Sequence, residues 1–570
     1  LEVEVSGDSA AAIGMISRLF TFKGGVKPDS HKDESATAPI RTAPLPSQLI
    51  LPLRQSARAM ARSVVEPGRK VLKGEVIAAA EGAMCTAVHA PTSGTVRAIE
   101  PQPVPHPSGL PAPSIVIESD GEDRWIELRA FDYRSATPQH TRDYLRDSGI
   151  VGLGGASFPS HVKLGPGEKG IETLILNGAE CEPWITCDDR LMRERPEMIL
   201  GGALIMRHIT GARRILVGIE DNKPQAIESM QAAARRMGES DIEVVAIPTR
   251  YPAGGEKQLI RVLTGIEIPY GKLGTHYGVQ CFNVGSAHAV FRAVEHGEPL
   301  VSRILTLSGN MAHPGNFDVR IGTPIRELLP LAAPRADTDR YLMGGPMMGV
   351  TLQSLDMPVV KGSNCILAGS PVLFPPPPPE MPCIRCGACA QACPAELQPF
   401  ELYWFSRAKI FGKAQEYDLF DCIECGCCSY VCPSRIPLVD YFRFAKGEIW
   451  AREKEKAAAD TARERYEFRL AREEREKEEK AAKLAAKTAA GREKAAAAIA
   501  VSEKPATTPE EDARKALIAA ALERAKAQKE QAHPENVSDL TPEQQAEIAA
   551  IEERRAEIRE MAKPHLRQED

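Results

Sequence analysis

The sequence has no surplus of positive charge. Lys and Arg number 71 against 77 Asp and Glu, a formal net charge of −6. A chain whose main partner is nucleic acid needs a basic face, so no nucleic-acid partner is expected. No run of 18 or more apolar residues occurs. No transmembrane helix is therefore expected, and any work at a membrane would be done from its surface. Leu1–Gly14 offers no basic segment ahead of an apolar stretch, so no signal peptide is expected. A natural start at Met15 is expected, with the preceding residues foreign to the natural protein. Cysteine is thin over most of the chain. Of 14 cysteines, nine fall between Cys383 and Cys432, leaving only Cys85, Cys181, Cys187, Cys281 and Cys365 elsewhere. A secreted disulfide framework would be short and cysteine-dense throughout, so the cluster points to metal chemistry in a reducing compartment.

What remains is ordinary globular material. The hydrophobic fraction is 43% and the charged fraction 26% over 570 residues, enough for about four domains at roughly 150 residues each. Residues 1–45 read as an extension rich in Pro, Ser and Thr. From 46 to 130, short β-type runs alternate with Gly and Pro turns: Val64-Val65, Val71–Ile77 and His89–Val96. From 131 to 300, apolar runs at Ile171–Leu176, Ile215–Ile219 and Val244–Ile247 alternate with helical patterns, as in an α/β sheet. One helix should start near Asn222, with Pro224 where its missing N–H costs nothing, and run to Met237, with Gly238 as the stop. Within 301–372, residues 303–330 read as strand, turn, strand, helix. Pro375–Pro379 is a stiff polyproline spacer within 373–380. Residues 381–447 hold the cysteine cluster. Residues 448–570 form an Ala/Lys/Glu-rich tail: a solvated helix with Glu473/Lys477 and Glu476/Lys480 pairs, interrupted near Pro505 and Pro509. It has no a/d stripe for a coiled coil.

The cysteines repeat a pattern. Cys383-x-x-Cys386-x-x-Cys389-x-x-x-Cys393-Pro394 is followed by Cys422-x-x-Cys425-x-x-Cys428-x-x-x-Cys432-Pro433. Two-residue spacings let three thiolates converge from one tight loop. Zinc sites use pairs of C-x-x-C rather than three thiolates in seven residues twice over. The run resembles that of bacterial two-cluster ferredoxins. The resemblance implies two 4Fe–4S clusters with crossed ligation: Cys383, Cys386, Cys389 and Cys432 for one, and Cys422, Cys425, Cys428 and Cys393 for the other. Cys427 is out of register and is read as a non-ligand.

A second signal is the loop Gly152-Leu-Gly154-Gly155-Ala156-Ser-Phe158-Pro, closed by Lys163. Glycines allow backbone N–H groups to approach a phosphate or a flat ring, and a lysine supplies a point charge. An isolated match of this kind is more often a tight loop with a surface lysine. Here the stretch resembles G-x-G-G-A-G-F-P-x-x-x-K of the flavin- and NADH-binding subunit of respiratory complex I. That family's N-A-D-E-x-E-P is matched by Asn177-Gly-Ala179-Glu180-Cys181-Glu182-Pro183. Val217–Glu220, Gly255-Glu256 and Asn283-Val284 follow in the same order. By this resemblance Gly152, Gly154, Gly155, Ala156, Phe158, Lys163, Asn177, Glu220, Gly255, Glu256 and Asn283 surround a non-covalent FMN. The resemblance places Glu180 and Glu182 at the flavin too, where they are expected to orient the nicotinamide donor and hold the flavin's potential low. Phe158 either packs the loop or stacks on a ring. Two positions depart from the family: its aspartate is Ala179, and an aromatic expected after the lysine is Leu164.

Residues 46–130 resemble a biotinyl/lipoyl-type barrel sandwich. The tip that carries a lysine in such modules reads Ala83-Met84-Cys85, so a structural module without biotin or lipoate is expected. Residues 301–372 resemble a β-grasp (SLBB-like) module. The fold class expected is thus multidomain α/β and α+β: barrel sandwich, Rossmann-like FMN domain, β-grasp module, two-cluster ferredoxin domain and helical tail. Taken in order over about residues 45–447, the modules resemble the RnfC (RsxC) family of the Rnf electron-transport complexes. Glu182-Pro183-Trp-Ile-Thr, Gly218–Ile227, Gly344–Gly349 and Asp421–Cys425 strengthen the likeness. It implies an oxidoreductase subunit that passes electrons between NAD(H), FMN and two clusters. It also implies a peripheral position on the cytoplasmic face of the bacterial inner membrane, in an ion-translocating complex, with other subunits as partners and ferredoxin reached through a neighbour. The alternative is a non-catalytic iron–sulfur adaptor that binds no NADH.

Overall fold

The computed structural model describes residues 18–57, 59–167, 170–376, 378–500 and 509–531. The expected start at Met15, the helix break around Pro505 and the polar end beyond residue 531 lie outside the described residues. Leu1–Glu455 and Lys456–Asp570 are two separate compact units.

The centre of the first unit is a parallel sheet. Its strands are Ile242–Ile247, Arg214–Glu220, Thr173–Gly178 and Val279–Asn283, in that spatial order. All three pairings are parallel. Both faces of such a sheet are covered, which is why Leu174, Ile175, Leu176, Ile215, Leu216 and Val217 form near-continuous apolar runs and are all buried. The helix foreseen after Asn222 is Pro224–Met237, ended by Gly238 at φ 69°, as the stop signal requires. The sequence-predicted strands are present with shifted ends: the first begins at Thr173 rather than Ile171 and runs on to Gly178.

Two β modules flank this sheet. In the barrel sandwich, Gln48–Pro52, Ala112–Ser119, Gly94–Gln102 and Lys70–Val71 form one antiparallel sheet, and Arg62–Ser63, Val76–Ala79 and Val88–His89 form another. Val64-Val65 falls just after a strand rather than in one, and Val71–Ile77 is two strands split at Gly74. Cys85, at the position of a carrier lysine, is fully buried, and His161 bonds the carbonyl of Ala83 at 2.9 Å. The tip is docked and packed, the opposite of a carrier arm. In the other module, Ser302–Gly309, Gly315–Arg320 and the helix Ile325–Ala332 follow the expected order in a six-stranded sheet.

The N-terminal segment is not a separate extension. Arg41–Thr42 pairs with Gly315–Arg320, and Gln48–Pro52 belongs to the barrel sandwich. Before them, Val26 and Tyr251 exchange backbone bonds at 2.8 and 2.9 Å, and Gly25 N–H donates to the Ala392 carbonyl at 2.9 Å. Residues 30–35 strap the loop that follows Gly178. Ser30 accepts from Trp184 N–H at 2.9 Å, His31 stacks on Trp184 at 4.2 Å, and Lys32 Nζ donates to the carbonyls of Glu182 and Ile185. Pro/Ser/Thr composition does not reveal such a strap, because its bonds are made by backbone groups and by the single side chains of His31 and Lys32.

The cysteine region packs around Leu402, Tyr403, Phe411, Leu419 and Phe442. The helix Leu438–Ala500 starts inside this region, and Phe442, Ala445 and Ile449 are buried, so residue 447 is no boundary. In the second unit the described helical residues are solvent-exposed, as expected, but Glu473 and Glu476 pair with Arg469 and Arg472 rather than with Lys477 and Lys480, while Glu479–Lys483 keeps the expected orientation.

Candidate flavin and iron–sulfur sites

Strand order fixes where a ligand can sit. From Thr173–Gly178 the chain steps outward to Arg214–Glu220 and Ile242–Ile247, then returns to place Val279–Asn283 on the other side of the first strand. The connections diverge between the first and last strands, and this divergence opens a crevice at the carboxyl ends of the strands. Asn177 and Asn283 are register partners there. Asn177 accepts from Ala179 N–H at 3.1 Å and donates to the Gly254 carbonyl at 2.8 Å. Asn283 caps the helix Val284–His296 through Gly285 N–H and donates to Asp188 at 2.6 Å.

The glycine loop lies across this crevice. Gly152 N–H closes it on the Phe158 carbonyl at 2.8 Å, and Leu153 N–H is held by Ser286 Oγ at 2.9 Å. Gly154, Gly155 and Ala156 are exposed, whereas Phe158 is half-buried. A Cβ on Gly154 would lie 3.4 Å from Asn283 Cβ, and Gly155 takes φ +111° with open space beside it. A planar or phosphate group can therefore approach the backbone closely. Lys163, in the turn of helix Ser160–Lys163, pairs with Glu256 at 2.6 Å, and Glu256 opens the helix that Gly255 caps. Leu164 is fully buried, so its side chain packs the core instead of facing the crevice.

The acidic residues sit in a charge network of half-buried Glu180, Glu182 and Asp188 with buried Glu220, Lys32 and Lys223. Glu180, at φ 47°, accepts from the backbone N–H groups of Asp188 (2.7 Å) and Asp189 (3.2 Å) at the start of helix Cys187–Glu194. Burial pushes its carboxyl up to about 8, with Lys32 opposing and Asp188 reinforcing the rise. Glu182 accepts from Met347 (2.7 Å) and Met348 (3.0 Å), in the turn after strand Arg340–Met343; burial raises its carboxyl too. Both carboxylates thus hold backbone, a use that an E-x-E motif does not reveal. Glu220 is 1% exposed and pairs with Lys223 at 3.0 Å, while Lys223 also donates to the Ala179 carbonyl at 2.7 Å. Among the described residues Glu220 Oε1 has no hydrogen-bond partner. An orphaned buried acceptor near the crevice suits a ligand that brings an N–H or O–H donor.

The eight motif cysteines gather into two groups. One cavity is walled by Cys383, Cys386, Cys389 and Cys432, and a second by Cys393, Cys422, Cys425 and Cys428, with Cys427 also on its wall. The backbone repeats as the sequence does. Arg385 and Glu424 stand at φ 54° and 58°, and Gly387 and Gly426 at 77° and 80°. Left-handed residues on either side of the second cysteine turn each loop inward, so its thiols converge. Burial pushes Cys422 up to about 11 and raises Cys428 as well. Thiols so disposed become thiolates only against a bound cation, as a cluster supplies.

Four family models match in series: the RnfC barrel sandwich hybrid domain over residues 20–122, the Nuo51 FMN-binding domain over 145–292, the SLBB domain over 304–351 and the 4Fe-4S dicluster domain over 382–436. Among curated proteins, the RnfC component of the ion-translocating oxidoreductase complex of Serratia proteamaculans is 47% identical over 481 residues, covering 83% of this chain and 68% of the relative. The same component in Cronobacter sakazakii is 45% identical over 556 residues, covering 97% and 69%. The chain belongs to this RnfC family of ion-translocating oxidoreductase complex subunits. The match spans from 58% to 69% of the length of such relatives, and 65% for that of Yersinia pestis. Its domains are those of an FMN and 4Fe–4S electron-transfer protein, and the crevice and cysteine cavities fit both cofactors. Among solved structures, an NAD+-reducing [NiFe]-hydrogenase in the air-oxidized state matches at 20% identity and a TM-score of 0.38, over 48% of this chain and 54% of that one. A score of that size does not establish a common overall fold. Among the described residues no helix is long and apolar enough to cross a membrane.

Sequence reasoning missed Lys32, Asp188, Lys223 and Tyr251, which hold the acidic loop and its surroundings. Lys223 stands in the Gly218–Ile227 stretch, whose pattern assigns it no role, and the other three stand in no motif; they converge only through the strap, the helix starts and the loop around Tyr251.

Proposed function

We propose that the protein is the electron-input subunit of a membrane NAD(H):ferredoxin oxidoreductase complex coupled to ion translocation. In this reading it sits peripherally on the cytoplasmic face of the bacterial inner membrane and reaches ferredoxin through neighbouring subunits. The observation that carries it is the occurrence, in one compact unit, of a glycine-lined crevice at a strand switch point and two four-cysteine cavities.

FMN supplies exchange between a two-electron hydride carrier and one-electron clusters. The chain's residues bind and orient it. Backbone N–H groups of Gly154, Gly155 and Ala156 take its polar edge. Lys163, released from Glu256, takes the phosphate. Asn177, Asn283 and Glu220 fix the crevice wall, with Gly255 and Glu256 on the opposite rim and Phe158 packing the loop. Glu180 and Glu182 set the shape and negative potential of the loop beside the nicotinamide. Cys383, Cys386, Cys389 and Cys432 hold one 4Fe–4S cluster; Cys422, Cys425, Cys428 and Cys393 hold the other. Absorbance during anaerobic NADH addition tests the reading: flavin and cluster bands should bleach together. Clusters without flavin bleaching would favour an adaptor that binds no NADH, a reading supported by the loss of the family aspartate at Ala179.

A further inference from the structure

The two halves of the cysteine repeat are equivalent in sequence and backbone but not in surroundings. Cys386 is exposed, whereas its counterpart Cys425 is 7% exposed. A Cβ added to Gly387 meets nothing within 4 Å; one added to Gly426 meets the Met347 carbonyl at 2.9 Å. One half is open to solvent, and the other is pressed against the rest of the unit.

What it is pressed against is the back of the flavin crevice. Cys425 and Cys427 pack with Val26, Tyr251, Ala392, Cys181 and Met347. Cys181 lies between Glu180 and Glu182, and its thiol accepts from Gly254 N–H at 3.3 Å; the Gly254 carbonyl in turn accepts from Asn177. Tyr251, 2% exposed, donates its hydroxyl to the Cys425 carbonyl at 2.8 Å. Glu182 holds Met347 N–H, and Met347 covers Gly426. A continuous packed path therefore runs from Asn177 at the switch point through Gly254, Cys181 and Tyr251 to Cys425. Both cavities are walled by the cysteine region's own residues, but among the described residues the packing against the crevice elements is at Cys425 and Cys427, while Cys383, Cys389 and Cys432 pack only within the cysteine region.

We infer that Tyr251 is a positioning residue joining the flavin crevice to the cavity of Cys393, Cys422, Cys425 and Cys428, so that this cluster exchanges electrons directly with the flavin while the Cys383 cluster is the outward one. The inference rests on the functional reading above. The step is transfer of one electron: no bond forms or breaks, and what one cofactor loses the other gains. A hydroxyl donor on the Cys425 carbonyl offsets the added negative charge of the reduced cluster, which raises that cluster's potential.

The test uses the full chain loaded anaerobically with iron and flavin. Cys422→Ser and Cys386→Ser first assign the two electron paramagnetic resonance signals. Tyr251→Phe keeps the packing and removes the donor. It should lower the midpoint potential of the signal altered by Cys422→Ser and leave the other in place; Tyr403→Phe, beside the outer cavity, should not move the Cys422 signal. A shift of the Cys386 signal by Tyr251→Phe, or no shift at all, overturns the inference. A second measurement does not depend on folding of the Tyr251 variant. After mixing with NADH, the remaining cluster should be reduced at least tenfold faster in Cys386→Ser than in Cys422→Ser, and equal or reversed rates overturn the inference. Flavin and iron contents of the same samples separate this failure from failure of the functional reading, which falls if either cofactor is absent from the wild-type chain.

Discussion

Asn177 and Asn283 are register partners at the ends of two neighbouring parallel strands, although 106 residues separate them in sequence (283 − 177). Each turns its side chain to backbone bonds at the mouth of the crevice. Asn283→Ala removes the helix cap and the bond to Asp188. A cap loss costs about 1 kcal/mol, and the raised carboxyl of Asp188, half-buried and stripped of its Asn283 partner, rises further. The expected outcome is lower thermal stability with weakened flavin retention, checked by calorimetry and by flavin fluorescence of the filtrate.

Lys163 is held by Glu256 at 2.6 Å. If it binds the flavin phosphate, Lys163→Ala should weaken flavin binding by roughly 1–3 kcal/mol, the range of a charge-assisted bond. That corresponds to roughly 5- to 150-fold in Kd. Equilibrium dialysis of the flavin checks it, and unchanged affinity removes Lys163 from the site.

Glu182→Gln retains an amide oxygen that can accept from Met347 and Met348 but removes the carboxylate. Iron content should stay unchanged, NADH-driven flavin bleaching should slow, and the flavin potential should rise. Stopped-flow bleaching at the wild-type rate would leave Glu182 with a purely structural role.

Anaerobically prepared protein should contain about eight irons, as two cubanes. Cys432→Ser should disturb the cluster built on Cys383, Cys386 and Cys389, because Cys432 shares their cavity. Cys427→Ser should leave the iron content unchanged. Loss of the Cys422–Cys428 cluster in Cys432→Ser would refute the crossed arrangement.

Lys361 is buried where three modules meet, with Nζ donating to the carbonyls of Ala87 (2.9 Å) and Gly149 (2.6 Å). Burial lowers it from 10.5 to about 7. Between those values the unfolded chain holds a proton that the folded chain does not, so this residue's contribution makes stability rise with pH across that window. The difference in melting temperature between wild type and Lys361→Met should therefore change from pH 7 to pH 10. A constant offset would mean that Lys361 does not titrate on unfolding.

The sequence alone determined whatever depends on local spacing. Cysteines in fixed triplets, glycines that permit one loop shape, apolar runs long enough for buried parallel strands and a proline–glycine frame around the helix Pro224–Met237 each act over a few residues. Their meaning survives without knowledge of neighbours. The tertiary structure decided which groups those motifs meet. Glu180 and Glu182 read as carboxylates facing the flavin and its nicotinamide donor, yet folding gives each two backbone donors from elements beyond the motif. Residues 22–35 read as an extended lead-in, yet their backbone groups and Lys32 strap the loops around Trp184 and Tyr251. The two cysteine repeats read alike, yet one is buried against Met347 and Tyr251 and the other is open. These differences arise from burial and from hydrogen bonds between residues far apart in the chain, and no local pattern encodes them.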